Sequence, residues 1–423
     1  MYRFVAALVA ATSCVAMAQA QEVTEARPPI AGSLLSIDDA VALAGGSAPA
    51  AEAAEAEVDA AQAARRVAGL RPNPALNVEV ENFVGTGPYN GINGADATVS
   101  VAIPLELGGK RQARIAVADA QARRALLAQT ITQADIRLQV TELYVQAVAA
   151  DVRTTIAEDQ FRIASDTARA AGIRVKAGRA SPLEEERAEV ARLTAAAETE
   201  KARRLAVAAR ASLARRIGRA IEGPLDIGIL GTPRSAAAGP PRPASAAGTL
   251  ALAAADADLA TADAGVQLAR SQRVPDLTVG PGVRRLEATN DVAAVFSISM
   301  PLPLFNNGRA DVDQANAERR RADAQRRVTA LDIEQQISDA EVEAANAAAA
   351  ARVASGPALS AAMEAARIAR IGYREGKFGQ LELLDAERTL TEMRSASIEA
   401  LASYQLAKAR LERLTAPAPI EGN

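Results

Sequence analysis

One plan is written twice along this chain, about 198 residues apart, so any fold must satisfy both copies at once. Val101-Ala-Ile-Pro-Leu-Glu-Leu-Gly-Gly-Lys-Arg is echoed by Ile298-Ser-Met-Pro-Leu-Pro-Leu-Phe-Asn-Asn-Gly-Arg. Arg71-Pro-Asn-Pro-Ala-Leu resembles Arg273-Val-Pro-Asp-Leu, and the run from Val175 to Leu193 resembles that from Tyr373 to Leu390. The duplication gives a first repeat over 21–230 and a second over 249–423. Between them 231–248, rich in Pro, Ala, Ser and Gly, reads as a linker.

Each repeat has the same order of elements. A helical stretch, Ile37 to Leu70 or Leu250 to Gln272, runs up to a proline. Two alternating segments follow. Leu76, Val78 and Val80 are interleaved with Asn77, Glu79 and Glu81, and Val99, Val101, Ile103 and Leu105 with Thr98, Ser100 and Ala102. The second repeat offers Leu277, Val279 and Val283, then Phe296, Ile298, Met300 and Leu302 against Ser297 and Ser299. Period two predicts four strands, near 75–84, 96–105, 276–286 and 292–303, paired as two hairpins.

At about 9 to 11 residues these strands have the length a tilted strand needs to cross a bilayer. A half-buried sheet is the alternative for any one of them, but four in identical places of two repeats favour a membrane barrel. Four strands cannot close, and an open edge in lipid leaves backbone groups unpaired at several kcal/mol each. Several copies must therefore share one barrel.

After each hairpin comes a run of roughly 65 residues, nearly free of Gly and Pro apart from Gly356-Pro357, which as helix extends about 100 Å. Each run meets a glycine turn at Gly178 or Gly376 and then a returning helix. Long helical hairpins over 109–219 and 308–415 result.

Composition narrows the function. There is no histidine, and the one cysteine, Cys14, lies in an apolar leader that ends in Ala18-Gln19-Ala20. Residues 1–20 read as a signal peptide, with cleavage after Ala20 and lipidation at Cys14 both open. Without imidazole or thiolate the usual ligands, bases and nucleophiles are missing, so no enzyme, cofactor or resident metal is expected. Mixed charge with a formal net of -3 offers no basic face for nucleic acid. Aromatics make up only 3% of the chain while alanine abounds, which suits long helices in close contact better than a thick core.

The stretch Pro104-Leu-Glu-Leu-Gly108-Gly109-Lys110-Arg111 superficially suggests a phosphate loop, but a glycine five residues before Gly-Lys and a hydroxyl after it are both missing. It reads instead as the joint between strand and long helix, matched by Pro301 to Gly308-Arg309. Lys110, Arg111 and Arg309 are expected at the inner rim of the membrane that the barrel spans, where cations meet anionic headgroups.

These features together resemble the TolC family of outer-membrane efflux proteins, over essentially the whole mature length. The turn Tyr373-x-x-Gly376-x-x-x-x-Leu381-x-x-Leu384-Asp385-Ala386 carries part of the resemblance. Arg71-Pro-Asn-Pro, Glu79-Val-Glu-Asn and Glu106-Leu-Gly-Gly-Lys-Arg are similar to the CzcC-like branch, which serves pumps exporting cobalt, zinc, cadmium or nickel. The resemblance implies a homotrimer whose β-barrel, four strands per chain, continues into a periplasmic α-helical barrel. It implies a periplasmic adaptor and an inner-membrane resistance-nodulation-division pump as partners, with this chain a passive conduit among outer-membrane lipids. A conduit for drugs or secreted polypeptide is the neighbouring reading, and a soluble periplasmic coiled-coil scaffold the distant one.

Site residues follow by the same resemblance. The adaptor of the family docks beside the hairpin tips, here Gly178 and Gly376, which are otherwise plain helix caps. The periplasmic mouth is narrowed by a tyrosine and by acidic residues beyond the turn, which correspond to Tyr373, Glu382 and Asp385. An arginine of some members is replaced by Phe378, which puts an arginine latch there in doubt. Glu382 and Asp385 share a helix face and would form carboxylate rings in a lumen, or a solvated face, as is expected for Glu184, Glu185 and Glu186.

Overall fold

The computed structural model describes residues 34–233 and 244–419. The leader with Cys14, and most of the linker, lie outside that range. Two short helices, α1 (Ile37–Gly45) and α2 (Pro49–Ala68), replace the single helix expected before the first strand. Ser36 and Asp39 form a reciprocal cap on α1, and Pro49 at the start of α2 has no amide hydrogen to leave unpaired. Strands β1 (Ala75–Glu81) and β2 (Asp96–Leu105) follow, then α3 (Lys110–Lys176) and α4 (Pro182–Ile217). The second repeat contributes α5 (Leu250–Gln272), β3 (Leu277–Leu286), β4 (Asp291–Ser299), α6 (Arg309–Val353), α7 (Leu359–Arg374) and α8 (Gln380–Leu414).

The strands do not stay as two separate hairpins. They form one antiparallel sheet in the order β1-β2-β3-β4, because β2 and β3 pair from Asp96↔Leu286 to Leu105↔Leu277. Two edges remain, β1 and β4.

Helix α3 has 67 residues and spans about 100 Å. Its counterpart in the second repeat is interrupted. Pro357 has no N–H to give, and Gly356 departs from helical geometry at φ -106°, ψ -105°, so a wide turn over Ala354–Ala358 separates α6 from α7. Helix α3 packs on α2 and α4 along one side and on α5 and α8 along the other, while α6 and α7 lie beyond α5 and α8.

The core sits halfway along α3. Val140, Tyr144, Val145 and Val148 are fully buried there against Leu213 and Ile217 of α4, Ala40 and Ala44 of α1, and Leu401 of α8. The Tyr144 hydroxyl donates to the Leu35 carbonyl at 2.6 Å and accepts from the Asp226 amide at 2.8 Å, tying the strand-like entry segment to the bundle. Burial pushes this phenol above its usual range. Elsewhere alanine is prominent in the contacts, with Ala171 and Ala366 fully covered, which lets the helices lie close.

Candidate functional site

The pairing registers sort the sheet into two faces of opposite character. Leu76↔Val101, Val78↔Val99, Val99↔Val283 and Val279↔Ile298 put apolar residues together on one face. Asn77↔Ser100, Glu79↔Thr98 and Thr278↔Ser299 put polar residues on the other. In water an apolar face is normally covered. Here Leu76, Val78, Val99, Val283, Phe296 and Ile298 are all exposed, and among the described residues no helix packs extensively on the sheet. Among the described residues no helix is long and apolar enough to cross a membrane.

The polar face carries charge. Arg284 Nη2 lies 3.0 Å from Glu81 Oε2, and its Nε donates to the Thr98 hydroxyl at 2.9 Å. Glu79 stands exposed on the same face, two residues nearer the helices.

At the joint the expected residues come together in a clamp. Pro104 sits inside β2, opposite Thr278. Gly108 has φ 71° and passes so close to Val274 that a side chain there would collide with it. Gly109, at φ 73°, starts α3, as Gly308, at φ 68°, starts α6. Lys110 Nζ lies 2.7 Å from Asp276 Oδ1, which also accepts from the Leu107 amide at 3.1 Å. Arg114 forms a two-pronged pair with Glu106, and Arg111 donates to the Gly69 carbonyl at 2.6 Å. The Arg114 hydrogen bonds hold the Glu106 carboxyl below its usual range. Burial pushes Asp276 upward, but Lys110 and the Leu107 amide outweigh it and leave the group lowered.

The three cations of the two joints differ in their partners within the chain. Lys110, with only 13% of its side chain exposed, pairs with Asp276, while Arg111 is exposed and donates through Nε to the Gly69 carbonyl. Arg309 is exposed at the second joint, where Asn306 and Asn307 side chains accept from the amides of Gly308 and Arg309. Pro301 lies beyond the end of β4.

At the far end of the helices the two hairpin tips meet. Gly178 (φ 66°) and Gly376 (φ 72°) are left-handed caps, and in each the amide one residue on reaches back five residues, Arg179 to the Arg174 carbonyl and Lys377 to Gly372. The Tyr373 ring lies under the Arg174 guanidinium, 4.9 Å from centroid to Cζ. Gln380 Nε2 donates to the Glu184 carbonyl at 2.8 Å, a second link between repeats. Glu184 and Glu185 are half-buried rather than solvated, and Glu184 Oε2 is shut away from water. Glu382 and Asp385 are exposed one turn beyond the Gly379 start of α8. The Phe378 ring lies against Gly372, where any side chain would collide with it.

Sequence reasoning missed the cation that reaches Tyr373, because Arg174 belongs to the other repeat. It also missed Glu387, which is 4% exposed and pairs with Arg370 of α7 through both carboxylate oxygens. The signal was present: Glu387 interrupts the apolar stripe of Leu383 and Leu390. Thr391, one turn on, donates to Gln160 of α3 at 2.7 Å. Among the described residues no group of acidic side chains is arranged to hold a metal ion.

An uncovered apolar sheet face, a polar opposite face and helices of this length suit a sheet set in a membrane and carried on a long helical bundle. Residues 41–219 and 244–416 both match the outer membrane efflux protein family, and the chain belongs to it. It is 30% identical over 393 residues to the cobalt-zinc-cadmium resistance protein CzcC of Cupriavidus metallidurans, covering 92% of this chain and 91% of that one. It is also 30% identical to the nickel and cobalt resistance protein CnrC of the same organism, over 69% of this chain and 68% of that one. The outer membrane protein VceC of Vibrio cholerae has the same fold, with a TM-score of 0.72 at 18% identity over 90% of this chain and 96% of that one. Both of these curated relatives are thus named for resistance to heavy metals.

Proposed function

We propose that three copies of this chain form the outer-membrane channel of a tripartite resistance-nodulation-division efflux system, a passive conduit for divalent cations such as cobalt, zinc, cadmium or nickel. The observation that carries the reading is the division of the sheet into an uncovered apolar face and a polar one. Lipid outside and water inside satisfies both faces. Two free edges call for further copies, and the apolar residues left exposed on α4 (Leu183, Val190, Leu193) and on α6 (Val328, Leu331) call for the same neighbours. The number three, the adaptor and the pump come from the family resemblance, and the metals from the names of the relatives.

In this reading the sheets of three copies close a barrel in the outer membrane of a Gram-negative cell, and the helices continue it through the periplasm. Tyr373, Glu382 and Asp385 narrow the periplasmic mouth, with rings of carboxylate favouring cations there. The adaptor docks beside Gly178 and Gly376. A strain lacking the protein should lose tolerance to at least one of zinc, cobalt, cadmium and nickel while keeping its tolerance to drugs. Unchanged metal tolerance with increased drug sensitivity would refute the metal assignment.

A further inference from the structure

The internal repeat supplies a template for a contact that a single chain cannot make. Strand β2 continues to Leu105 because β3 lies beside it, with Ile103↔Val279 and Leu105↔Leu277 as the last apolar pairs. Strand β4 is its counterpart, Val101 corresponding to Ile298 and Leu105 to Leu302, yet β4 stops at Ser299. Its continuation, Met300 and Leu302, is exposed, and so are Leu76 and Val78 on the β1 edge. Strand β1 is the counterpart of β3, Leu76 corresponding to Leu277 and Val78 to Val279.

Carrying the observed β2-β3 pairs across both correspondences places Met300 opposite Val78, and Leu302 opposite Leu76, of another copy. The same step places Ser299 opposite Glu79 and Ser297 opposite Glu81. Apolar thus meets apolar and polar meets polar, although face was not used to derive the register. A slip of one residue would put Met300 opposite Asn77 or Glu79. The base of this seam differs from the internal one. Ala75 stands where Asp276 stands in the template, so there is no carboxylate to repeat the Lys110 clamp. In its place are Leu304 and Phe305, both exposed, and on the β1 side Leu70, also exposed, with Pro72 and Pro74 after it.

We propose that the β4 edge pairs with the β1 edge of a second copy of this chain in the register Met300 to Val78 and Leu302 to Leu76. Pairing extends β4 to Leu302, and Leu304 and Phe305 pack on Leu70, Pro72 and Pro74 of that copy, an apolar clasp in place of an ion pair. The inference rests on the multi-copy channel reading and adds the register and the clasp.

Cysteine pairs in the full-length chain in cells test it. M300C/V78C, on oxidation, should give covalent multimers on a denaturing gel, about tenfold more than M300C/L76C or M300C/V80C, since a disulfide needs Cα atoms within ~7 Å. Linkage within one chain is excluded, because β1 and β4 of the same sheet are three strand spacings, about 14 Å, apart. M300C and V78C alone control for Cys14. Multimers strongest at a slipped pair overturn the register while leaving the channel reading intact. No multimer from any pair, with no heat-sensitive oligomer on a gel, overturns both. The clasp has its own readout, because the sequence has no tryptophan and F305W is a unique fluorophore. Its emission should resist quenching by brominated phospholipid in proteoliposomes. Strong quenching would mean that Phe305 faces lipid, and would overturn the clasp.

Discussion

Asp276→Ala should weaken the joint by an amount that the structure bounds. The carboxylate accepts from Lys110 Nζ at 2.7 Å and from the Leu107 amide at 3.1 Å. Removing one partner of a buried pair costs roughly 3 to 5 kcal/mol, and of an exposed pair about 0 to 1. Lys110 belongs to the first class at 13% exposed, and Asp276 to neither at 39%, so water screens part of the interaction. About 2 kcal/mol per chain is the expected loss, and about half of that for Asp276→Asn, which keeps an acceptor for the amide. For a chain of this length, 2 kcal/mol lowers a thermal midpoint by only about 2 °C. A double-mutant cycle with Lys110→Met, followed by circular dichroism in detergent, is therefore the better assay. The pH dependence adds a second check. Both Asp276 and Glu106 have folded values lowered from the ordinary range, so their contribution is complete above about pH 4.5 and is lost as pH falls through the folded values. The gap between wild type and Asp276→Ala should narrow below about pH 4. Strictly additive single mutations, or a gap that persists unchanged in acid, would refute the clamp.

The pair Arg370–Glu387 should be asymmetric. Arg370→Ala strands a carboxylate that is 4% exposed and should cost about 3 kcal/mol, whereas Glu387→Ala leaves a guanidinium 40% exposed, able to reach water, and should cost less. Equal midpoint losses would contradict this. Arg174→Ala removes a cation–π contact worth about 1 kcal/mol per copy between the two tips, and should raise single-channel conductance in planar bilayers. Unchanged conductance would detach Arg174 from the mouth. Replacing Glu382 and Asp385 together by Ala should also raise conductance and reduce cation preference, and neither change would be seen if they form only a solvated face. Arg284→Gln leaves Glu81 without its counter-charge and should strengthen cation preference, read as a shift in reversal potential. A shift in the opposite sense would refute that polarity.

The elements that sequence made legible are those whose signal is local. Alternation over 96–105 marked β2, the long proline-free run after Gly109, with Gly172 its one glycine before the turn, marked α3, and the left-handed Gly178 and Gly376 turns carried their own mark. Gly356-Pro357 stood out in the sequence and became the break between α6 and α7. What stayed hidden involves partners far apart in the chain. Nothing near Asp276 indicates that it will hold Lys110, nor does anything near Tyr373 indicate Arg174. The β2-β3 pairing, which turns two hairpins into one sheet, is of the same kind. Periodicity fixes which face a residue takes, but not which strand lies beside it.

The two repeats differ most where their surroundings differ, and this links the joint to the seam. Inside one chain the β2-β3 junction has both sides present from synthesis, and it is closed by charge: Lys110 with Asp276 and Glu106 with Arg114. At the matching place in the second repeat, Pro303 replaces Glu106, and on the facing strand Ala75 replaces Asp276. Before assembly that edge is open to water, and an unpaired buried charge would be costly in any misregistered contact. Apolar residues flanked by prolines tolerate exposure without demanding a particular partner charge, and Pro301 and Pro303 deny amide hydrogens to strands that might add wrongly. The substitution of an apolar clasp for an ion pair is thus what a repeat would need if one of its two seams must wait for a second molecule. A clasp of this kind should also leave assembly insensitive to salt, while exchange of Ala75 for Asp, which restores a carboxylate opposite Arg309, should make oligomer stability fall with ionic strength.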